Sequence, residues 1–427
     1  MRVLVLGINY WPEETGIAPF TTGRCEYLAT RGHMVSVVTA FPYYPRWRID
    51  PRYCHRLTTR ELRNGVNIFR SWLYVPRRVT SMRRIIHEAS FIVLASLRAA
   101  ATGWGQKPDL LFVVSPPLGL GLSAVLLSRL WNVPYVFHVA DLQPDAAVDL
   151  GMLPDGRIIQ ALYALERLAY RKAAAVSTLT EAIRRRITSK EIAAEKVALF
   201  SDWAAPGLFE LPITDGGQEF RREFGLENRF IVMHAGNMGV KQGLEVVLEA
   251  ADFSRNDPEI VYLLVGDGAA RASLEKTANA RRLSNVRFIP LQKEEVFRQM
   301  LAAVDICLVT QRKSVADIVF PSKVLTLLAA GKAVIASVAE QSEVARVVTE
   351  AGCGIKVPPE DPYALHNAVL DLRSNAGLRG EMGTMGRVYA RQHWDRERVL
   401  RHTEAELLKA AGRTSGVQER LPRVEYV

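Results

Sequence analysis

His234 to Ala251 reads HAGNMGVKQGLEVVLEAA, directly after the apolar run Phe230 to Met233. An apolar strand entering a glycine-rich turn, with an amphipathic helix expected to follow at once, is the architecture of a phosphate cradle. Gly236, Gly239 and Gly243 let the backbone approach a ligand closely, and a following helix N-terminus would aim free N–H groups at an anion. The turn lies near the middle of the chain. A phosphate turn there suggests that the second half holds a nucleotide and the first half holds something else.

Working outward, short apolar runs rich in β-branched residues alternate with helical patterns. The first half has strands at 3–7, 35–40, 66–71, 110–114, 135–139, 174–178 and 197–201. The second has them at 230–234, 260–265, 286–289, 306–310, 333–337 and 354–357. Near-continuous apolar strands separated by helices mean parallel sheets covered on both faces. The fold class is therefore α/β, with two Rossmann-like parallel-sheet domains. The stretch AAPGLFELPITDGG from Ala204 breaks the alternation with two prolines and three glycines. We place an N-terminal domain at 1–208, a C-terminal domain at 209–390, a closing helix at 391–411 and a disordered tail at 412–427.

At 427 residues the chain can bury two or three cores. Its net charge of +10 favours phosphate-bearing or membrane-surface partners. Cys25, Cys54, Cys307 and Cys353 are scattered, without a CxxC pair or a His at metal-ligand spacing. That reads as a reducing, cytoplasmic compartment and no metal. The N-terminal apolar run is too short for a signal peptide. The longest other runs, Phe91–Leu97 and Leu118–Leu127, are closed by Arg98 and Arg129, short of the roughly 20 residues that span a bilayer.

Five further stretches carry chemistry. GINYWPEETGIAPF, from Gly7, follows the first strand and places Gly16 at a helix start, where ligands of open α/β sheets sit. It is not GxGxxG, so the dinucleotide fingerprint is missing. HVADLQPD, from His138, follows a fully apolar strand; Asp141 would orient His138 for proton work, or His138 is a satisfied structural residue. Asp145 and Asp149 read as helix caps or solvated groups. LLVGDG gives Gly266 and Gly268 a second strand-to-turn site, or a plain capping turn. FPSKVLTLLAAG places Pro321 and Ser322 at a helix start, with Lys323 in its first turn and Gly331 closing it. A cation there opposes the helix dipole unless an anion binds nearby, which makes Lys323 a diphosphate partner or else a solvated lysine. Arg77, Arg78, Arg83 and Arg84 precede an apolar helix ending near Trp104. This is either an anionic-lipid contact that serves the acceptor or a solvated charge cluster beside a core helix.

Together the phosphate turn, LLVGDG, the Pro–Ser–Lys helix and HVADLQPDAAVDLGML resemble retaining GT-B glycosyltransferases of glycosyltransferase family 4. The likeness runs to about Ala411 and is greatest to the exopolysaccharide branch that contains colanic-acid glycosyltransferases. The resemblance implies two domains facing a cleft, a nucleoside-diphosphate sugar on the C-terminal one and the acceptor on the N-terminal one. The closing helix would cross back onto the N-terminal domain. Gly236, Asn237, Gly239, Lys241 and Gln242 would hold the diphosphate; Gly266, Gly268, Ile289 and Leu291 would flank the base; Ser322, Lys323 and Thr326 would lie by the phosphates and ribose. Gly16 would approach the donor, and His138 would sit near the sugar.

Many relatives carry an Arg after the first glycine of the turn and a Lys before the last, where this chain has Asn237 and Gln242. Many also carry two glutamates spaced by seven residues, where this chain has Ile318 and Thr326. Lys241 is then the adjacent cation able to reach the phosphates. Catalysis would need no metal: His138, Asp141 and Lys323 are the catalytic candidates, with the departing phosphate taking the acceptor proton. A polyprenyl-diphosphate-linked glycan is the expected acceptor, at the inner face of a membrane, and no nucleic acid is expected. The alternatives are a nucleotide-sugar epimerase, a nicotinamide oxidoreductase and a non-catalytic membrane scaffold.

Overall fold

The computed structural model describes residues 1–145, 156–213, 216–315 and 321–413. The chain divides into two compact units, Met1–Ser201 joined by the chain from Leu400 onward, and Asp202–Val399.

The first unit is built on β1 (Arg2–Leu6), β2 (Met34–Ala40), β3 (Thr58–Arg63), β4 (Val66–Ser71), β5 (Leu110–Ser115), β6 (Tyr135–Val139), β7 (Ala175–Thr178) and β8 (Val197–Leu199). The order across the sheet is β3-β4-β2-β1-β5-β6-β7-β8. Every neighbour is parallel except β3, which pairs antiparallel with β4. The sequence analysis missed β3. Its residues TTRELR are polar and charged, as edge strands often are, so no apolar run marked it. The legible signal was Asn64–Gly65, both at positive φ (46° and 79°), the two-residue turn of a tight hairpin.

One face of this sheet is covered by helices Ser81–Gly105, Leu120–Trp131 and Arg157–Lys172, which contribute Phe91, Ala95, Ala124, Val125, Ala169 and Tyr170 to one core. The opposite face packs Cys25 and Leu28 of helix Ala18–Thr30, together with Phe200 and Leu407. Leu407 belongs to helix Arg396–Ala410, so the end of the chain completes the first unit's core. Glu404 of that helix accepts from His33 Nε2 at 2.9 Å and from Arg31 Nε at 3.1 Å.

The second unit carries β9 (Phe230–Ala235), β10 (Ile260–Val265), β11 (Val286–Ile289), β12 (Ile306–Thr310), β13 (Ala333–Ser337) and β14 (Gly354–Val357). All are parallel, in the order β11-β10-β9-β12-β13-β14. Their alternate residues feed two cores: Ile231, Met233, Leu263 and Cys307 on one face, Val232, Tyr262, Leu264 and Leu308 on the other. Burial on both faces is why these strands read as continuous apolar runs. Both sheets thus present a reversal of strand order, at β1/β5 and at β9/β12, where open α/β sheets bind ligands beyond the strand C-termini.

Candidate functional site

In the second unit the decisive turn leaves β9 at that reversal. Gly236 has φ +127° and Gly266, after β10, has φ +134°, values that strain any L side chain. The two backbones touch: Gly236 N donates to Val265 O at 2.9 Å, and a Cβ on Gly266 would lie 2.0 Å from Gly236 O. A Cβ on Gly268 would meet Met238 O at 2.5 Å. Bare backbone therefore lines both walls. Ile289 is buried, and its carbonyl accepts from Gly266 N at 3.0 Å. Leu291, by contrast, is 76% exposed.

The helix does not follow the turn at once. A 3₁₀ turn, Val240–Gln242, intervenes, and Gly243 at φ +56° redirects the chain into helix Glu245–Phe253. Gln242 Oε1 accepts from Gly239 N at 3.0 Å. The residue standing where relatives carry a lysine thus has its carboxamide oxygen engaged in closing the turn. The first helical residue, Glu245, already places a carboxylate at this helix N-terminus. Arg312, just past β12, neutralises it, donating to Glu245 at 3.0 Å and to Val240 O at 2.7 Å. Sequence reading missed Arg312. A basic residue two positions beyond an apolar strand was the available signal.

Lys323 opens helix Lys323–Ala329, and its Nζ lies 3.3 Å from His234 Nδ1. Its aliphatic chain runs along the turn, with Cδ 4.0 Å from where a Gly236 Cβ would stand. Burial pushes its pKa down to about 7; no carboxylate among the described residues opposes that shift. His234 is wholly buried, and burial together with Lys323 holds its pKa well below the ordinary value, against a hydrogen bond with the Asn237 backbone. His234 was the other residue missed, because a strand-end histidine gives no sign of the lysine it meets 89 positions on. Asn237 and Ser322 are exposed, and Lys241, Gln242 and Thr326 half-buried, around the same turn and helix start. Ile318 and Asp149 lie outside the described residues.

The first unit holds a cavity of about 250 Å³ at its own strand reversal. Its lining brings together Gly16, Arg84 and Asp141, with Asn9, Tyr43, Tyr44, Trp47 and His87. Glu13 ties its loops, accepting from the N–H groups of Tyr43 and Tyr44 at 2.8 Å each and from Asn9 Nδ2 at 2.7 Å. His138 does not join this cavity. It is 2% exposed, flanked by the Phe112 and Phe200 rings at 5.8 and 6.0 Å, and its Nδ1 lies 3.0 Å from Ser177 Oγ. Burial and Arg24 hold its pKa well below the ordinary value. Ser177, rather than Asp141, is the side chain paired with its ring. Asp145 is neither a cap nor solvated: it is buried, and ion-paired to Lys190 at 2.5 Å and Arg186 at 2.9 Å. Arg77, Arg78, Arg83 and Trp104 are exposed, while Arg84 pairs with Glu88 at 3.2 Å.

The chain is 35% identical, over 407 residues, to WcaI of Escherichia coli (strain K12), named as a candidate colanic acid biosynthesis glycosyl transferase. The match covers 94% of this chain and 98% of that one. The chain is a glycosyltransferase. Residues 15–203 match the glycosyl transferase 4-like domain, and residues 229–375 match the glycosyl transferases group 1 domain. The fold is GT-B. HepE from Anabaena, solved with UDP, superposes with a TM-score of 0.68 at 16% identity, over 96% of this chain and all of HepE (100%). WaaG, a glycosyltransferase involved in lipopolysaccharide biosynthesis, gives 0.65 at 17%, over 97% of this chain and 100% of its own. In this glycosyltransferase the second-unit site therefore lies in the group 1 domain, and the aromatic cavity lies in the 4-like domain.

Proposed function

We propose that this glycosyltransferase moves a sugar, with retention, from a UDP- or GDP-sugar to a lipid-linked oligosaccharide in colanic-acid-type exopolysaccharide synthesis. The observation that carries the donor assignment is Lys323. It is a half-buried amine held by His234 beside two glycine walls, at a strand reversal. A charge that burial disfavours is restored by an anion, and a diphosphate supplies one. Lys241 adds positive charge on the rim, while Arg312 cancels the Glu245 carboxylate, so the leaving nucleoside diphosphate is met by two cations and by turn backbone. The UDP in the HepE structure and the name of WcaI support the donor class and the pathway.

In this reading the first-unit cavity takes the acceptor sugar. Tyr43, Tyr44 and Trp47 offer ring faces, and Asn9 and Asp141 offer hydroxyl partners. The departing phosphate accepts the acceptor's proton, so no protein carboxylate serves as nucleophile. A screen of thermal stability against UDP, GDP, ADP and their sugar conjugates tests the donor assignment. A shift with one base names the donor; a hundredfold excess over Kd stabilises by about 2.7 kcal/mol. No shift with any nucleotide refutes it and favours a non-catalytic scaffold.

A further inference from the structure

Helix Ser81–Gly105 turns its bulky apolar side chains outward. The buried positions, at every fourth residue, are His87, Phe91, Ala95, Ala99 and Gly103. After Phe91 that inner line narrows to two alanines and a glycine. The outer line carries Ile86, Val93, Leu97 and Trp104, which are 48%, 58%, 65% and 80% exposed. A helix that served only to cover a core would have the opposite arrangement.

Helix Leu120–Trp131 lies alongside and repeats the pattern. Ser96 Oγ donates to Ser123 Oγ at 2.7 Å, and Gly103 is the small residue that admits Trp131, whose ring would lie 2.2 Å from any Cβ there. Leu122, Leu126 and Leu130, again four apart, are 45–57% exposed. The two helices together contain one acidic residue, Glu88, which Arg84 pairs. Arg77, Arg78 and Arg83 are exposed at one end of the stripe, with no carboxylate partner among the described residues.

We propose that the outward faces of these two helices form a monotopic membrane-binding surface. It lies flat in the headgroup layer of an anionic bilayer, with the three arginines on lipid phosphates. Helix Ser81–Gly105 is long and apolar enough to cross a membrane. It lies flat instead, because Phe91, Ala95 and Ala99 on its inner line belong to the sheet's core, and crossing would strip that core open. The arginine fringe selects lipid over a second copy of the chain. Two such faces meeting would bring arginines against a surface with no free acid, whereas anionic lipid supplies the charge. The surface extends the lipid-linked-acceptor reading and stands without the donor site.

Co-sedimentation of the full chain tests it, using vesicles of phosphatidylglycerol with phosphatidylcholine and of phosphatidylcholine alone. The wild type is expected to bind the anionic vesicles preferentially. Arg77→Glu with Arg78→Glu and Arg83→Glu should weaken that binding by about a hundredfold or more, at about fivefold per basic residue. Val93→Glu with Leu97→Glu should abolish it. These positions are exposed, and a retained nucleotide-induced or intrinsic thermal transition shows that each variant folds. Wild-type protein that stays in the supernatant with both vesicles overturns the proposal, as do charge-reversed variants that bind like wild type. Dimers that Leu97→Glu converts to monomers, without vesicle binding, assign the face to a second copy and also overturn it. Vesicle binding without any nucleotide-induced shift defeats the donor assignment alone.

Discussion

Lys323 is charged at neutral pH only against the cost of its burial. Its ordinary pKa of 10.5, which the unfolded chain keeps, falls to about 7 in the donor-free protein. Between those values the unfolded state holds a proton that the folded state has released. Stability of the donor-free protein therefore gains from this group as pH rises from about 7 towards 10.5, and the burial cost is fully present below that window. A bound diphosphate raises the folded pKa again. Donor binding at pH 8.5 is then expected to take up close to one proton and to weaken as pH rises further. Calorimetric titration in two buffers of different ionisation enthalpy measures this, and a buffer-independent enthalpy would contradict it. Lys323→Ala should lower kcat by about a hundredfold or more in a transfer assay. An unchanged rate with folded mutant protein refutes its role. His234 acts through Lys323 as a positioning residue. His234→Leu should weaken donor binding by about tenfold, the worth of one hydrogen bond, and should shift the pH profile. His234→Gln, which restores an acceptor, should recover part of both. A purely structural histidine would lower the melting temperature and leave the profile in place.

At the scale of elements, the contact between the turns after β9 and β10 controls the donor site. Gly266→Ala places a methyl group against Gly236 O, in a backbone conformation that alanine avoids. A loss of about 2–4 kcal/mol in denaturant unfolding is expected, along with loss of any nucleotide-induced shift. A stable variant with normal nucleotide response would show that the two turns move independently. The glycines were legible in the sequence because few other residues suit a strand-to-turn transition of this kind. The 3₁₀ turn at Val240–Gln242 was not legible: Glu245 and Arg312 pair through space, from β12 back to the turn after β9. Helix Ser81–Gly105 was legible as apolar, but Arg98 broke its hydropathy run. Which face is outward could not be read, since an apolar stripe of small residues and one of large residues both satisfy helical spacing. The charged edge strand β3 was hidden for the converse reason: its stability comes from pairing with β4 rather than from burial of its own side chains.

For the whole molecule, the end of the chain belongs to the first core. Leu407 is fully buried there, so Leu407→Ala should destabilise the first unit by about 2–4 kcal/mol while leaving a nucleotide-induced shift intact. Thermal unfolding with and without nucleotide separates those two effects. The β-branched runs by themselves determined that this chain forms two sheets of mainly parallel strands. Strands buried on both faces must be apolar almost throughout, and β5, β6, β10, β12 and β13 are buried along their whole length. The glycine spacing by itself determined where backbone could line a ligand. Only the tertiary structure decided which side chains share a site. It set His234 against Lys323, gave Gln242 to its own turn and packed His138 between two phenylalanines. It also turned the large side chains of two helices towards solvent. Apart from the local bond of Gln242 to Gly239, those outcomes depend on contacts between residues far apart in the chain, and local hydropathy and spacing carry no record of them.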